Sequence, residues 1–471
     1  MKKLLLPFVL ATLSYSSLAT QPAFAHDPNS ESEHHHHHGH ELDMLPGLAK
    51  QQVRFADIEP FIEQFQQSNV FQVAQVGQSY QGRPIYRFSV GNGETVVLMW
   101  SQMHGDESTA TPALFDLMHK IASDTDWRNS WSDKLTIHMI PMLNPDGAEL
   151  AQRYNVQGID VNRDAQALQT PEGQTLMAQG QQLEPDFGFN LHDQSRYYEV
   201  GNTGKAATIS VLAPAFNHAK DINPSRARAM KLIGKLSEVT DALIPGHVGR
   251  YNDTFAPRAF GDNFSAMGIS TILIESGAYA NDPNRQKARA VNGAMLVAGI
   301  DSIAKQDYQD VTLEPYHAIP MNNSNSFKDV IFDAVTIVDG AHQYQLDIGI
   351  NRSTDARQSG TIREVGDLSV FPAFERYDAG ALTYQAGAAY RIPETGLELS
   401  HHEYLKLIKG GFTHFTGDAD QLNVTSHLPV VVNPVTVPGS RPQQRQSATF
   451  LLQQQGKVAI AVLAGVVIHF N

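Results

Sequence analysis

From about residue 50 to residue 308, short apolar runs alternate with long stretches of helical spacing. This alternation is the strongest limit on what the chain can fold into. Residues 95–100, 135–142, 187–191, 209–213 and 270–274 read as strands. Residues 108–123 place Leu114, Leu117, Met118 and Ile121 on one helical face. Residues 223–243 do the same with Leu232, Leu236, Val239 and Leu243. Strands alternating with long helices imply an α/β architecture, a mixed sheet flanked by helices on both faces. The runs 84–90 and 95–100 flank Gly91-Asn92-Gly93, a hairpin signal. From about Glu314 the helical periodicity fades. Residues 330–339, 344–350, 381–392 and 448–470 read as strands of a β-rich sandwich. The expected division is an α/β domain over 50–313 and a β-rich C-terminal domain over 314–471.

The N-terminus reads as an address. Lys2 and Lys3 precede an apolar run over 4–19, and Ala23-Phe24-Ala25 is a small-x-small cleavage signal. Residues 1–25 are expected to be a signal peptide, with the mature chain starting at His26. The apolar run is too short for a membrane anchor, as is the later run 458–468, which reads as one buried strand. Residues 26–49 form a polar linker with five consecutive His at 34–38 and another at His40. Such a tract can hold Zn²⁺ or Ni²⁺ loosely, or be only a solvated linker. The expectation is a periplasmic or secreted protein without a membrane span.

The formal charge of −14 argues against a nucleic-acid partner. There is no cysteine, which excludes disulfides, thiolate metal sites and cysteine nucleophiles. Any metal must be held by His, Asp and Glu.

Four segments concentrate chemistry. His104-Gly105-Asp106-Glu107 follows one predicted strand and precedes a helix, so a turn can present an imidazole and a carboxylate to one cation. His38 and Glu41 share the spacing; what sets His104 and Glu107 apart is their place at a strand end, where open α/β sheets put their crevices. Phe189-Asn190-Leu191-His192-Asp193 brings a second His to a strand end. Two His and one Glu leave a fourth position open, the ligand set of a catalytic zinc site. Ile272-Leu273-Ile274-Glu275 ends another apolar strand in a carboxylate; desolvation there suits a general base, though an ion-paired structural Glu fits as well. Asn144-Pro145-Asp146-Gly147, Arg153 and Asp160-Val161-Asn162-Arg163-Asp164 form the fourth. Adjacent Asn and Arg can hold a carboxylate, or they can stabilise a turn.

In order, these segments resemble the zinc carboxypeptidase family, the funnelin-type metallopeptidases of the carboxypeptidase A kind, over roughly residues 55–300. Gln81-Gly82-Arg83-Pro84-Ile85 is similar to that family's N-terminal part. The resemblance implies that His104, Glu107 and His192 bind one Zn²⁺. Glu275 would take a proton from zinc-bound water and return it to the leaving amine. Arg153 would stabilise the oxyanion. Asn162 and Arg163 would grip the free α-carboxylate, and Asp160 would accept the second ring N–H of His104. Tyr251 would be the mobile tyrosine that closes over the substrate.

The chain also departs from the family. Gly105-Asp106 stands where pancreatic-type members carry an arginine, so one secondary substrate contact is missing. Glu107 and His192 are only 85 positions apart, which points to a trimmed subfamily. The segment 254–264, expected to line the specificity pocket, holds Arg258, Phe260 and Asp262. Arg258 would read an acidic side chain, as in cell-wall peptides, or be a surface arginine.

The expected activity is removal of the C-terminal residue from a peptide or cell-wall peptide. One alternative is a zinc deacylase resembling the aspartoacylase and succinylglutamate desuccinylase group, which uses a similar ligand set. Another is a zinc-scavenging protein, suggested by the His-rich tract, in which Glu275 has no obvious task. His401-His402-Glu403 invites a metal reading but also fits polar surface.

Overall fold

The computed structural model describes residues 42–324, 327–353, 359–436 and 439–470. The expected signal peptide and the His-rich tract lie outside them. The first part runs α1 (Phe55–Gln66), β1 (Gln72–Gln78), β2 (Pro84–Gly91), β3 (Thr95–Ser101), α2 (Ala110–Ser123), α3 (Thr125–Trp131), β4 (Leu135–Ile140), α4 (Pro145–Leu150) and α5 (Pro171–Leu183). It continues with β5 (Phe187–Asp193), β6 (Glu199–Val200), β7 (Ile209–Leu212), α6 (Pro224–Leu243), β8 (Val248–Arg250), α7 (Phe260–Ala266), β9 (Ser270–Ser276) and α8 (Gln286–Lys305).

Eight of these strands form one mixed sheet in the order β1-β2-β4-β3-β5-β9-β7-β8. Its centre is parallel: β3 pairs with β4 and β5, and β5 with β9. These central strands are apolar at successive positions because both faces are covered. Val97 and Met99 join the core built with α2, α6 and α8, while Leu98 and Trp100 pack opposite, with Phe264 of α7 and Leu176 of α5. Local signals start the helices where tertiary contacts need them. Asn223 accepts the Arg226 N–H and Pro224 occupies the first turn of α6. Residues 42–49 strap the back of α2 and α8: Leu48 is buried, Leu45 donates its N–H to Asp116 Oδ1 at 2.8 Å, and its carbonyl accepts from Arg289 Nη2 at 3.0 Å.

The hairpin expected around Gly91-Asn92-Gly93 does not form. β4 lies between β2 and β3, so the link crosses its end. The two glycines answer a packing demand instead. A Cβ at Gly91 would stand 2.1 Å from the Leu135 carbonyl oxygen, and one at Gly93 1.8 Å from the Lys134 carbonyl carbon.

The second part holds α9 (Glu314–Ala318), β10 (Asn322–Asn323), β11 (Lys328–Asp339), β12 (His342–Arg352), β13 (Gly360–Gly366), β14 (Ala373–Asp378), β15 (Thr383–Gln385), β16 (Ala388–Arg391) and β17 (Leu397–Ser400). α10 (His401–Lys409), β18 (Phe412–Thr416), β19 (Leu422–Thr425), β20 (Phe450–Gln454), β21 (Lys457–Leu463) and β22 (Val466–His469) follow. The large sheet runs β13-β12-β11-β15-β20-β21-β22, with β14 also on β11.

One edge of this sheet folds back onto its own middle. Ile362 N–H donates to Gln446 O at 2.9 Å and Ala448 N–H to Gly360 O at 2.8 Å, so β13 closes on the residues entering β20. The enclosed core holds Val330, Phe332, Ile348, Ile362, Phe450 and Val462. Two sequence expectations change here, and one helix is added. Residues 381–392 are two strands in different sheets, because β15 joins β20 and β16 joins β18. The run 458–468 is a hairpin of β21 and β22, turning at Ala464-Gly465, where both residues have positive φ. Residues 401–409 are a helix, opened by a capping box between Ser400 and Glu403. Glu403 accepts from the Ser400 N–H and hydroxyl, and His401 Nδ1 lies 2.9 Å from Ser426 Oγ, so the His-His-Glu run serves local structure.

Candidate active site

The parallel centre of the first sheet ends three strands at one edge. β3 leads into the turn carrying His104 and Glu107, β5 ends at His192-Asp193, and β9 ends at Glu275-Ser276. His192 and Glu275 are direct partners in the β5–β9 register. The crevice therefore follows from strand direction.

The His104 turn is braced from several sides. Gln102, at φ +50°, donates from Nε2 to the Val53 and Gly105 carbonyls (2.8 and 3.0 Å) and accepts from Thr111 Oγ1 at 2.7 Å. Gln52 Nε2 also donates to Gly105 O, at 2.9 Å. A Cβ at Gly105 would lie 1.9 Å from the Gly147 carbonyl carbon, so the turn sits directly on the Asn-Pro-Asp-Gly turn. Asn144 holds both: Oδ1 accepts the Gly147 N–H at 2.9 Å and Nδ2 donates to Met103 O at 3.1 Å.

The donor atoms of His104, Glu107 and His192 lie within 4.8 Å of one another. His104 Nδ1 is 2.8 Å from Glu107 Oε1, and His192 Nδ1 is 2.7 Å from Glu107 Oε2. Ligands about 2.1 Å from a tetrahedral zinc stand roughly 3.4 Å apart, and this donor set can close around the ion. Its electrostatics agree. Burial by itself would raise Glu107, but the two imidazoles hold its carboxylate well below the usual range. Burial would lower His104, but Glu107 and Asp160 raise it to about 9. The same carboxylates that favour a charged imidazole would favour a bound cation, and metal binding here would be coupled to proton release. His192 is pushed down by burial, with the neighbouring His104 and Arg153 charges adding to it.

Around this cluster, His104 Nε2 lies 3.0 Å from Asp160 Oδ1. Arg153 Nε donates to Asp160 Oδ2 at 3.0 Å, and its Nη1 is 3.3 Å from Glu107 Oε1. Asn162 Nδ2 stands 3.4 Å from His192 Nε2, while its Oδ1 accepts the Phe260 N–H at 2.9 Å. Burial and the carboxylates of Glu107 and Asp193 raise Glu275 well above the ordinary range. Tyr251 is raised by burial and the nearby Glu275, and its ring lies 5.4 Å from that of Tyr198. Arg163 and Arg258 are exposed. Arg163 Nη1 turns back to the Asn162 carbonyl at 2.7 Å, and the Arg258 carbonyl accepts the Ala165 N–H at 3.1 Å.

Three contributors carried no readable role. Asp193 donates its N–H to Glu107 Oε2 at 3.1 Å and accepts from Thr109 Oγ1 at 2.7 Å; its place directly after His192 is the signal that could have found it. Gln102 stands two residues before His104. Tyr198 has no sequence signal, because its partner Tyr251 is brought to it by tertiary structure.

Residues 58–199 match the family model described as zinc carboxypeptidase. "Probable carboxypeptidase 2" of Trichophyton verrucosum is 27% identical over 190 residues, which is 39% of this chain and 34% of that protein. Carboxypeptidase 2 of Trichophyton tonsurans is 25% identical over 354 residues, covering 70% of this chain and 62% of that protein. The chain thus spans about a third of the first relative and under two thirds of the other. Among solved structures, a metallo-carboxypeptidase from Burkholderia cenocepacia superposes with a TM-score of 0.44 at 18% identity, covering 55% of this chain and 71% of that one.

Proposed function

We propose that this protein is an exported zinc metallocarboxypeptidase, with its chemistry in residues 50–313. The observation that carries the reading is the convergence of His104, Glu107 and His192 at the strand edge where half-buried Glu275 pairs in register with His192. A zinc ion held by the first three supplies Lewis acidity to the attacking water and the scissile carbonyl.

The chain's own groups do the rest. Glu275 takes a proton from the attacking water and hands it to the leaving amine. Its raised pKa suits the second half of that task, since a weakly acidic carboxyl keeps the proton until nitrogen accepts it. Arg153, held by Asp160, brings its guanidinium charge to the developing oxyanion. Asn162 and Arg163 bind the terminal carboxylate and fix the cut at the last bond. Tyr251, whose phenol burial keeps protonated, closes the site as a hydrogen-bond donor. Arg258, exposed on the segment before α7, selects acidic terminal residues, including those of cell-wall peptides; unchanged selectivity in Arg258→Ala removes that part.

Export is supported by the signal-like residues 1–25, and no helix among the described residues is long and apolar enough to cross a membrane. The test is release of free amino acids from a mixed peptide panel by the zinc-loaded protein and by Glu275→Gln. Release by the parent and its loss in the variant is the expected result. No peptide cleavage by either, with one zinc bound, overturns the reading; acyl release from N-acyl amino acids would then assign the deacylase chemistry.

A further inference from the structure

The chain leaving the first part does not simply pass to the second sheet. Residues 320–323 run between two segments of the site. The Gly201 N–H donates to Met321 O and the Arg250 N–H to Pro320 O, both at 2.8 Å. Asn322 and Asn323 pair with Val200 and Glu199, so β10 lies against β6. One of these segments carries Tyr198, six residues after His192. The other carries Tyr251, which follows Arg250 directly.

The second sheet then fixes the first segment by side chains. Asp329, fully buried on β11, lies 2.8 Å from Arg196 Nη2 and accepts from the Tyr197 hydroxyl at 2.7 Å. The Tyr197 hydroxyl is also 3.0 Å from Arg352 O of β12. The Arg196 guanidinium lies 5.0 Å from the centre of the Phe374 ring on β14. A buried carboxylate whose partners come from another part of the chain orders those partners strongly, because removing it strands a cation and a hydroxyl.

We infer that the β-rich second part is a working wall of the site: through residues 320–323 and the Asp329 anchor it positions Tyr198 and Tyr251 beside Glu275. Asp329, Arg196 and Tyr197 are positioning residues in this scheme and touch no substrate. The identity of the site rests on the carboxypeptidase reading, but the inference has its own readout.

That readout is hydrogen–deuterium exchange of the full chain. Asp329→Asn, Arg196→Met and Tyr197→Phe attack the anchor from both sides. The last two leave the buried carboxylate in place, so the test survives if the first variant does not fold. The expected result is exchange faster by about tenfold or more over 194–206 and 249–254, with 104–107 and 270–276 protected as in the parent. Zinc affinity stays at the parental value, and KM for peptides rises while kcat changes less. Parental exchange over 194–206 and 249–254 in all folded variants overturns the inference. So does acceleration spread equally over 270–276, which marks a general structural role. A parent that cleaves no peptide overturns the carboxypeptidase reading and leaves the exchange result to decide this one.

Discussion

In the first sheet, β3, β5 and β9 run the same way and deliver His104, His192 and Glu275 to one edge. In the second, β11, β12 and β13 run alternately up and down, and their charged residues stay where they fall. Arg376 of β14 is bound to Asp333 of its parallel neighbour β11 at 2.8 Å, and Lys328 of β11 lies 3.4 Å from Glu364 of β13, two strands away. Both sheets have eight strands and sealed apolar cores. Direction separates them: parallel neighbours gather the ends of distant segments, while antiparallel neighbours send consecutive ends apart.

The contrast can be broken at several points. Replacing His192 by Ala removes one of three ligands, and zinc affinity should fall on the order of 10³-fold, read by chelator competition. Asp160→Asn keeps all three ligands but weakens the group on His104 Nε2; a loss of about 10- to 100-fold in zinc affinity is expected. Phe450→Ala strikes the second core instead. It should cost about 3–5 kcal/mol in denaturant unfolding and leave zinc affinity at the parental value. A matching loss of zinc affinity would show that the cores do not act separately.

The smallest effect concerns pH. Burial pushes Asp262 up to about 6 from an ordinary 3.8. Between those values the folded state binds more protons than the unfolded one, so this group's contribution falls as pH rises through the window. Asp262→Asn should therefore raise Tm slightly at pH 7, by about 1–2 °C, and the gain should vanish by pH 3.5. An equal gain at both pH values would assign the effect to packing rather than charge.

Much of the first sheet was legible because its signals are local. Apolar runs ending in His192 or Glu275 need no knowledge of their neighbours. Which strand lies beside which is not local, and there the reading failed. The Gly91-Asn92-Gly93 link looks like a tight turn, yet β4, 40 residues on, claims the place between its flanking strands. Closure of the second sheet depends on Gln446 and Ala448 meeting residues 360–362, a contact no periodicity announces. α10 was readable: Ser400 and Glu403 have capping-box spacing, which the two intervening histidines drew attention away from. Tyr198 was not, since its setting depends on β6 meeting β10 across more than 100 residues.

The order β5-β9-β7 has a consequence for the chain during its synthesis. The strand bearing Glu275 is the last of the eight to be made, yet it is inserted between two made earlier. Until residues 270–276 emerge, β5 and β7 have no partner on their facing edges, and the crevice holds His104, Glu107 and His192 without Glu275. The insertion of this late strand therefore brings Glu275 to the crevice edge and closes the gap between β5 and β7 together.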